Sequence, residues 1–256
     1  MRGWNGVAAA TLLRKEVRRF TKVWLQTVLS PLVTTSLYFL VFGVALGSRL
    51  RTVDGVPYVN YVVPGLVMLA MISNSFLNSS SSLFQSKVNG TYVDLLVAPL
   101  GAQEMLYAYA VAALIRGHLV AVMVWAVAVT FIGFELSHPA WTLFFSVAVC
   151  LTFGALGLVV AIWAEKFDQL AVVPNFVLTP LTFLGGVFYS VDMLPSPWNA
   201  VSAANPMLYM VNGLRFGIIG ISDVPVLRCA AVVLPCAVAA NLAAWALLRS
   251  GTKFRT

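Results

Sequence analysis

Between Ala140 and Ala164 the chain reads AWTLFFSVAVCLTFGALGLVVAIWA, 25 positions without one charged residue. At 1.5 Å per residue, a helix of that length reaches about 37 Å, more than the ~30 Å hydrocarbon core of a bilayer. Runs of the same kind recur along the sequence. The chain is 60% hydrophobic and only 10% charged, against about 25% charged in a soluble domain. The runs are continuous rather than alternating, which argues for helices and against a transmembrane β-barrel. The expected fold class is an all-α polytopic membrane protein, in which each span satisfies its own backbone hydrogen bonds.

Six transmembrane helices are expected, at about 23–46, 58–83, 117–134, 140–164, 170–189 and 228–248, within a single transmembrane domain over residues 1–256. Pro31, Pro64, Pro174 and Pro180 fall inside the first, second and fifth. The first run is longer than the ~7–15-residue apolar core of a signal peptide, so it is expected to stay as an anchor. The third span needs an argument. Ala102 to Phe134 is too long to cross once, and Arg116 divides it. A charge at mid-bilayer costs about 2.5–3.5 kcal/mol on insertion scales. With Arg116 at the cytoplasmic boundary, Gly117–Phe134 crosses as a helix of about 27 Å. Gln103–Arg116, with Glu104, is then a cytoplasmic or interfacial extension of the same helix.

The net charge of +7 does not point to nucleic acid, because of how it is distributed. Arg2, Arg14, Lys15, Arg18, Arg19 and Lys22 precede the first span. In the six-span layout twelve basic residues fall inside, and Arg49, Arg51, Arg215 and Arg228 fall outside. The positive-inside rule then places both termini in the cytoplasm. Residues 1–22 are expected to form an interfacial helix lying in the headgroup region. Its apolar face would be Leu13, Val17, Phe20 and Trp24, with Arg14, Lys15, Arg18 and Lys22 opposite.

Two connections are larger than a turn requires. The second span passes through an Asn/Ser tract and leaves the bilayer near Gln85 and Lys87. An amphipathic piece, Val88–Val97, comes next and is closed by Pro99. A short helix at the membrane surface, over residues 85–97, suits contact with another molecule. The second connection, residues 190–226, is too long for a structureless loop and is apolar. Asn205-Pro206 splits it into two pieces of about 14–16 residues, with Arg215 in the second. An outer re-entrant helix pair between spans five and six is expected; two further spans preserve the parity and stay open as an alternative.

Motifs for chemistry are few. The sequence holds no Gly-Lys dipeptide, so a P-loop is impossible and ATP-driven work requires another chain. His118 and His138 fall near opposite faces, and no zinc signature is present. Cys150, Cys229 and Cys236 read as small buried hydrophobes. No catalytic residue, metal or cofactor is therefore expected in this chain. The spans do carry neutral polar residues: Gln26, Thr34, Thr35 and Tyr38 on the first, Asn74 and Asn78 on the second, Asn175, Thr179 and Thr182 on the fifth. Such residues line a pathway or hydrogen-bond between helices; Thr34, Tyr38, Asn74, Asn78, Asn175, Thr179 and Thr182 are the pathway candidates. Gly43-x-x-x-Gly47 and Gly213-x-x-x-Gly217 allow close helix packing.

Three strings carry a family resemblance over essentially the full length: LYFLVFGVALGSRL, YVVPGLVMLAMISNSFLNSSSSLFQSKVNGTYVDLLVAPL and VPNFVLTPLTFLGGVFYSVDMLPSPWNAVSAANPMLYMVNGLRFGIIG. The chain resembles ABC-2 (type-2 ATP-binding-cassette) exporter permeases, and is similar to the bacterial subgroup of nodulation-factor and drug exporters. The resemblance implies a homodimer in the bacterial inner membrane, with two copies of a separate ATPase that bind ATP and Mg. It implies that residues 85–97 act as a coupling helix, with Gln85, Lys87, Val88, Tyr92 and Asp94 as ATPase contacts. It further implies a connecting helix carrying Arg14, Lys15, Arg18 and Arg19, and a substrate route lined by spans one, two and five. The exported substrate is unknown, and the dotted neutral spans favour an amphiphile or a sugar. A non-transporting membrane partner of an ABC ATPase, acting in envelope assembly or extraction, is the alternative.

Overall fold

The computed structural model describes residues 4–46, 52–53, 55–133 and 136–251. The described residues are mostly helical. Helix α1, Gly6–Lys22, is opened by Asn5, whose side chain accepts from the Ala8 N–H at 3.1 Å. Arg19 and Lys22 occupy its last turn, where cations oppose the helix dipole. Its buried face is Ala9, Leu12, Glu16 and Phe20, rotated from the expected one. Leu13 and Val17 are half-buried and Trp24 is exposed. The reason is tertiary: α1 packs along α5 (Ala102–Ile132), and that contact selects the stripe.

Helix α2, Trp24–Tyr38, contains Pro31 and passes into a π-helical segment, Phe39–Leu46. Beyond it, a two-residue antiparallel ladder pairs β1 (Thr52–Val53) with β2 (Val56–Pro57) and is the sole sheet among the described residues. Arg49, Arg51 and Asp54, expected in that outer loop, lie outside the described residues, as does Gly47 of the first glycine pair.

Helix α3, Tyr58–Val88, is the axis of the fold. It packs against α5, α6 (Pro139–Trp163) and α10 (Pro206–Ile219). Its Asn74, Ser75, Asn78, Ser79, Ser80 and Ser82 are all buried, since small side chains let neighbouring backbones approach closely. The second long helix of this group, α5, runs unbroken for 31 residues. Gln103–Arg116 and Gly117–Ile132 are thus one continuous helix, while Phe134 and Glu135 lie outside the described residues.

The fifth run is less regular. Helix α7 (Phe167–Val172) leads through a π-helical segment, Val173–Leu178, into α8, Thr179–Leu184. Pro174 and Pro180 lack the N–H that a regular helix needs, and the Thr179 N–H reaches back to the Pro174 carbonyl. Helix α11, Val226–Ser250, ends at Gly251.

Among the described residues, five helical stretches are long and apolar enough to cross a membrane: 58–88, 102–130, 139–163, 167–184 and 226–250. The expected first span contributes a shorter apolar helix, Leu29–Phe42. In the outer connection the first piece is smaller than expected. After the Ser196-Pro197 step only α9, Trp198–Ala204, is α-helical. The second piece, α10, has the expected length of 14 residues, with Asn205 as its cap and Gly220 ending it in the left-handed region. Gly213 and Gly217 do allow close packing: a Cβ at the first would collide with Phe145 and at the second with Thr142, both on α6.

Candidate functional site

A cavity of about 570 Å³ opens between α2, α3, α5 and α8. Along α3 its lining extends from Leu66 to Gln85, about 28 Å at 1.5 Å per residue. That length is close to the hydrocarbon thickness of a bilayer. Val23, Leu66, Leu69, Leu77 and Phe183 give it apolar wall. Thr27, Ser30, Thr34, Thr35, Ser73, Asn74, Ser81 and Thr179 give it hydroxyl and amide groups, and Tyr38 stands at the α2 side.

Four of the pathway candidates therefore meet on one surface: Thr34, Tyr38, Asn74 and Thr179. The other three do not. Asn78 is fully buried and is held by Arg19, whose Nη2 donates to its carbonyl at 2.8 Å and to Oδ1 at 3.2 Å. Thr182 is buried, donating to Leu178 O and Met207 Sδ. Asn175 is exposed and off the cavity. The regular stripe expected through Asn175, Thr179 and Thr182 is broken by the intervening π segment.

Arg116 was not among the pathway candidates, yet it lines the cavity. Its Nη2 donates to Asn74 Oδ1 at 3.4 Å. Asn74 lies nine residues before Leu83, or about 13 Å along the helix. The span ends expected at Leu83 and Gly117 thus sit at different levels. A signal was present in the sequence: one arginine midway through a 31-residue apolar helix.

At the other end of α3 lies a second surface. The expected helix over 85–97 is divided. Gln85 to Val88 completes α3, a turn at Asn89–Thr91 intervenes, and α4, Tyr92–Val97, is only six residues long. Gly90 has φ +71°, which the turn needs and a side chain resists. Leu95 is buried against Leu12 of α1 and the adjoining helix ends. Val88, Val93 and Val97 are exposed, as are Gln85 and Asp94, while Tyr92 is half-buried. Between α1 and α4 runs an open groove of about 550 Å³, lined by Val7, Thr11, Lys15, Asp94 and Pro99 among others. Glu104 ties the start of α5 to that of α1, accepting from the Asn5 N–H at 3.0 Å and the Gly101 N–H at 3.1 Å.

Two expected contact residues on this surface are turned inward. Lys87 Nζ donates to the carbonyls of Ala161, Ile162 and Ala164, at 3.4, 3.1 and 2.8 Å. Those carbonyls end α6, so Lys87 caps that helix. Arg19 is half-buried, pairing with Glu16 Oε2 at 3.3 Å and reaching Ser81 Oγ at 3.4 Å. It joins α1 to α3. Arg14, Lys15 and Arg18 remain exposed. The fully buried Glu16 was missed, although its i, i+3 spacing to Arg19 was visible.

Near the start of α3, at Tyr61, lies a polar cluster that sequence reasoning also missed. Arg215 is fully buried. Its Nη1 donates to Tyr61 Oη at 2.7 Å and lies 3.8 Å from Asp223 Oδ2, and its guanidinium sits over the Tyr61 ring. Tyr61 Oη donates to Asp223 at 3.3 Å, and Asp223 also accepts from the Val191 N–H at 3.2 Å. Arg215, expected as an outer charge, thus binds α10 to α3. The histidines are structural too: His118 meets Leu114 O and Ser146 Oγ, and His138 stacks on Phe216.

The comparisons agree with this architecture. Residues 8–219 match the model of the ABC-2 type transporter family. The chain is 37% identical over 250 residues, 98% of each chain, to the inner membrane transport permease YadH of Escherichia coli (strain K12). It is 28% identical to Nodulation protein J of Sinorhizobium fredii over 83% of this chain and 80% of that one. Nodulation protein J of Rhizobium meliloti is 24% identical over the same shares. A family match spanning most of the helices, with a full-length relative that is itself a transport permease, means that this chain belongs to the ABC-2 type transporter family as a membrane permease.

Proposed function

We propose that this chain is the membrane-spanning subunit of an ATP-driven exporter. It works as a homodimer in the inner membrane, with two copies of a separate ABC ATPase that carry the ATP and Mg. The observation that carries the reading is the cavity along α3, whose lining reaches from Leu66 to Gln85, three residues short of that helix's end at Val88. A motion applied at α4 acts on the helix that forms the cavity wall. The exposed Val88, Val93, Asp94 and Val97, with the adjoining α1 groove, form the surface on which the ATPase docks. The exposed Arg14 and Arg18 of α1 are suited to anionic headgroups, and both termini then lie in the cytoplasm under the positive-inside rule. ATP binding shifts the permease between states only through differential contacts, and α4 supplies them.

The test is co-purification with the partner ATPase and reconstitution in proteoliposomes. A two-to-two complex is expected, with ATPase turnover that depends on the permease. Asp94→Lys is expected to weaken docking while leaving the melting temperature of the isolated permease unchanged. Full coupling in a complex carrying both Asp94→Lys and Val93→Asp refutes this docking surface. ATPase turnover without movement of any amphiphile or sugar across the bilayer favours the non-transporting alternative.

A further inference from the structure

We infer that the cavity takes an amphiphile bearing a single oxyanion group, a phosphate or a carboxylate, and that Arg116 receives that group. The inference rests on the permease reading and adds its substrate class. Arg116 meets α3 at Asn74, near the midpoint of the cavity. Among the described residues its hydrogen bond to Asn74 is the one it makes, and its Nε is buried without a partner. Among the described residues no Asp or Glu lines the cavity. The second cation there, Arg19, is already matched by Glu16 at 3.3 Å. One positive charge is therefore left over.

A guanidinium held in that position without an anion is unfavourable, because charge is costly away from bulk water. A glutamine would bond to Asn74 without that cost. What arginine adds is charge and a planar fork of donors, the geometry that fits a phosphate or carboxylate. The surroundings decide between a soluble anion and an amphiphile. Leu66, Leu69, Leu77 and Phe183 provide wall for hydrocarbon on either side of the polar midpoint, which a small inorganic ion would leave unused.

The experiment titrates the purified full-length permease, in a non-ionic detergent, with dodecyl phosphate, dodecyl glucoside and inorganic phosphate, reading occupancy by native mass spectrometry. Dodecyl phosphate is expected to bind about tenfold or more tightly than either other probe, the scale of a charge-assisted contact. Arg116→Gln is expected to lose that advantage and Arg116→Lys to keep part of it. Without ligand, Arg116→Gln should melt no lower than the wild type, since it removes an unmatched charge. Asn74→Asp, which places a carboxylate beside the guanidinium, should weaken dodecyl phosphate binding about tenfold while leaving Arg116 in place. Equal dodecyl phosphate binding by wild type and Arg116→Gln overturns the inference. Inorganic phosphate binding as tightly as dodecyl phosphate also overturns it and assigns a soluble anion. A lower melting temperature for Arg116→Gln, restored by Arg116→Lys, overturns it in favour of a structural role. None of these measurements uses the ATPase or transport, so a negative result leaves the permease reading standing, and a failure of transport leaves the binding result standing.

Discussion

Lys87 offers the sharpest separation of a structural from a coupling role. Its position at the end of α3, next to α4, invites mutation as an ATPase contact. The structure instead directs its ammonium at the three carbonyls that end α6. Lys87→Met keeps the length of the stem and removes the donors. The loss combines charge-assisted hydrogen bonds, about 1.5–3 kcal/mol for a strong one, with the attraction of a cation to a helix C-terminus, about 0.3–1 kcal/mol. Because Lys87 is half-buried and water can replace part of what is lost, about 2–3 kcal/mol is expected for the whole change. For a chain of this size that corresponds to a fall of about 4–12 °C in melting temperature. Thermal unfolding of the detergent-solubilised permease, followed by fluorescence, measures it directly. Asp94→Lys, at an exposed site, is the control and should move the melting temperature by no more than about 1–2 °C. If Lys87→Met melts with the wild type but its complex loses permease-dependent ATPase turnover, the capping role is wrong and Lys87 belongs to the docking surface.

Arg215→Met should be poorly tolerated. It strands Asp223, which is nearly buried beside it, and breaking one partner of a buried pair costs about 3–5 kcal/mol; a collapse in monodisperse yield on size-exclusion chromatography is the expected readout, and a normal profile refutes the role assigned to this cluster. Gly213→Leu drives a side chain into the Phe145 ring across the α10–α6 contact, an overpacking cost of about 1–3 kcal/mol, to be read as a lower melting temperature that Phe145→Ala partly restores.

The membrane class and the long helices were legible because they rest on long apolar runs, which a bilayer forces into helices; the family was legible from three long strings that carry its resemblance. The basic residues were harder. Arg14, Lys15 and Arg18 are exposed, but Arg19 and Lys87 turn inward, because each meets acceptors brought by a distant segment: Asn78 and Ser81 for one, the end of α6 for the other. Periodicity on one helix carries no information about such partners. The stripe through Asn175, Thr179 and Thr182 failed for a local reason. Two prolines six residues apart accompany a π segment that changes which side chains share a face. Arg116 was placed by its cost in lipid alone; a cavity that admits polar partners at depth is a tertiary property, absent from any single run. Tyr61, Asp223 and Arg215 come from three separate stretches, and nothing in their spacing brings them together.

The length of α3 has a mechanical consequence. From Tyr61 to Val88 it spans about 40 Å, so a rotation of about 5° about its α4 end carries Tyr61 sideways by about 3.5 Å. That displacement equals the whole distance from Tyr61 Oη to Asp223, 3.3 Å. The Tyr61 cluster therefore cannot follow such a rotation by stretching. With α10 in place it either holds the rod still or lets go, so that a gradual push at the α4 end becomes an all-or-none event at the Tyr61 end.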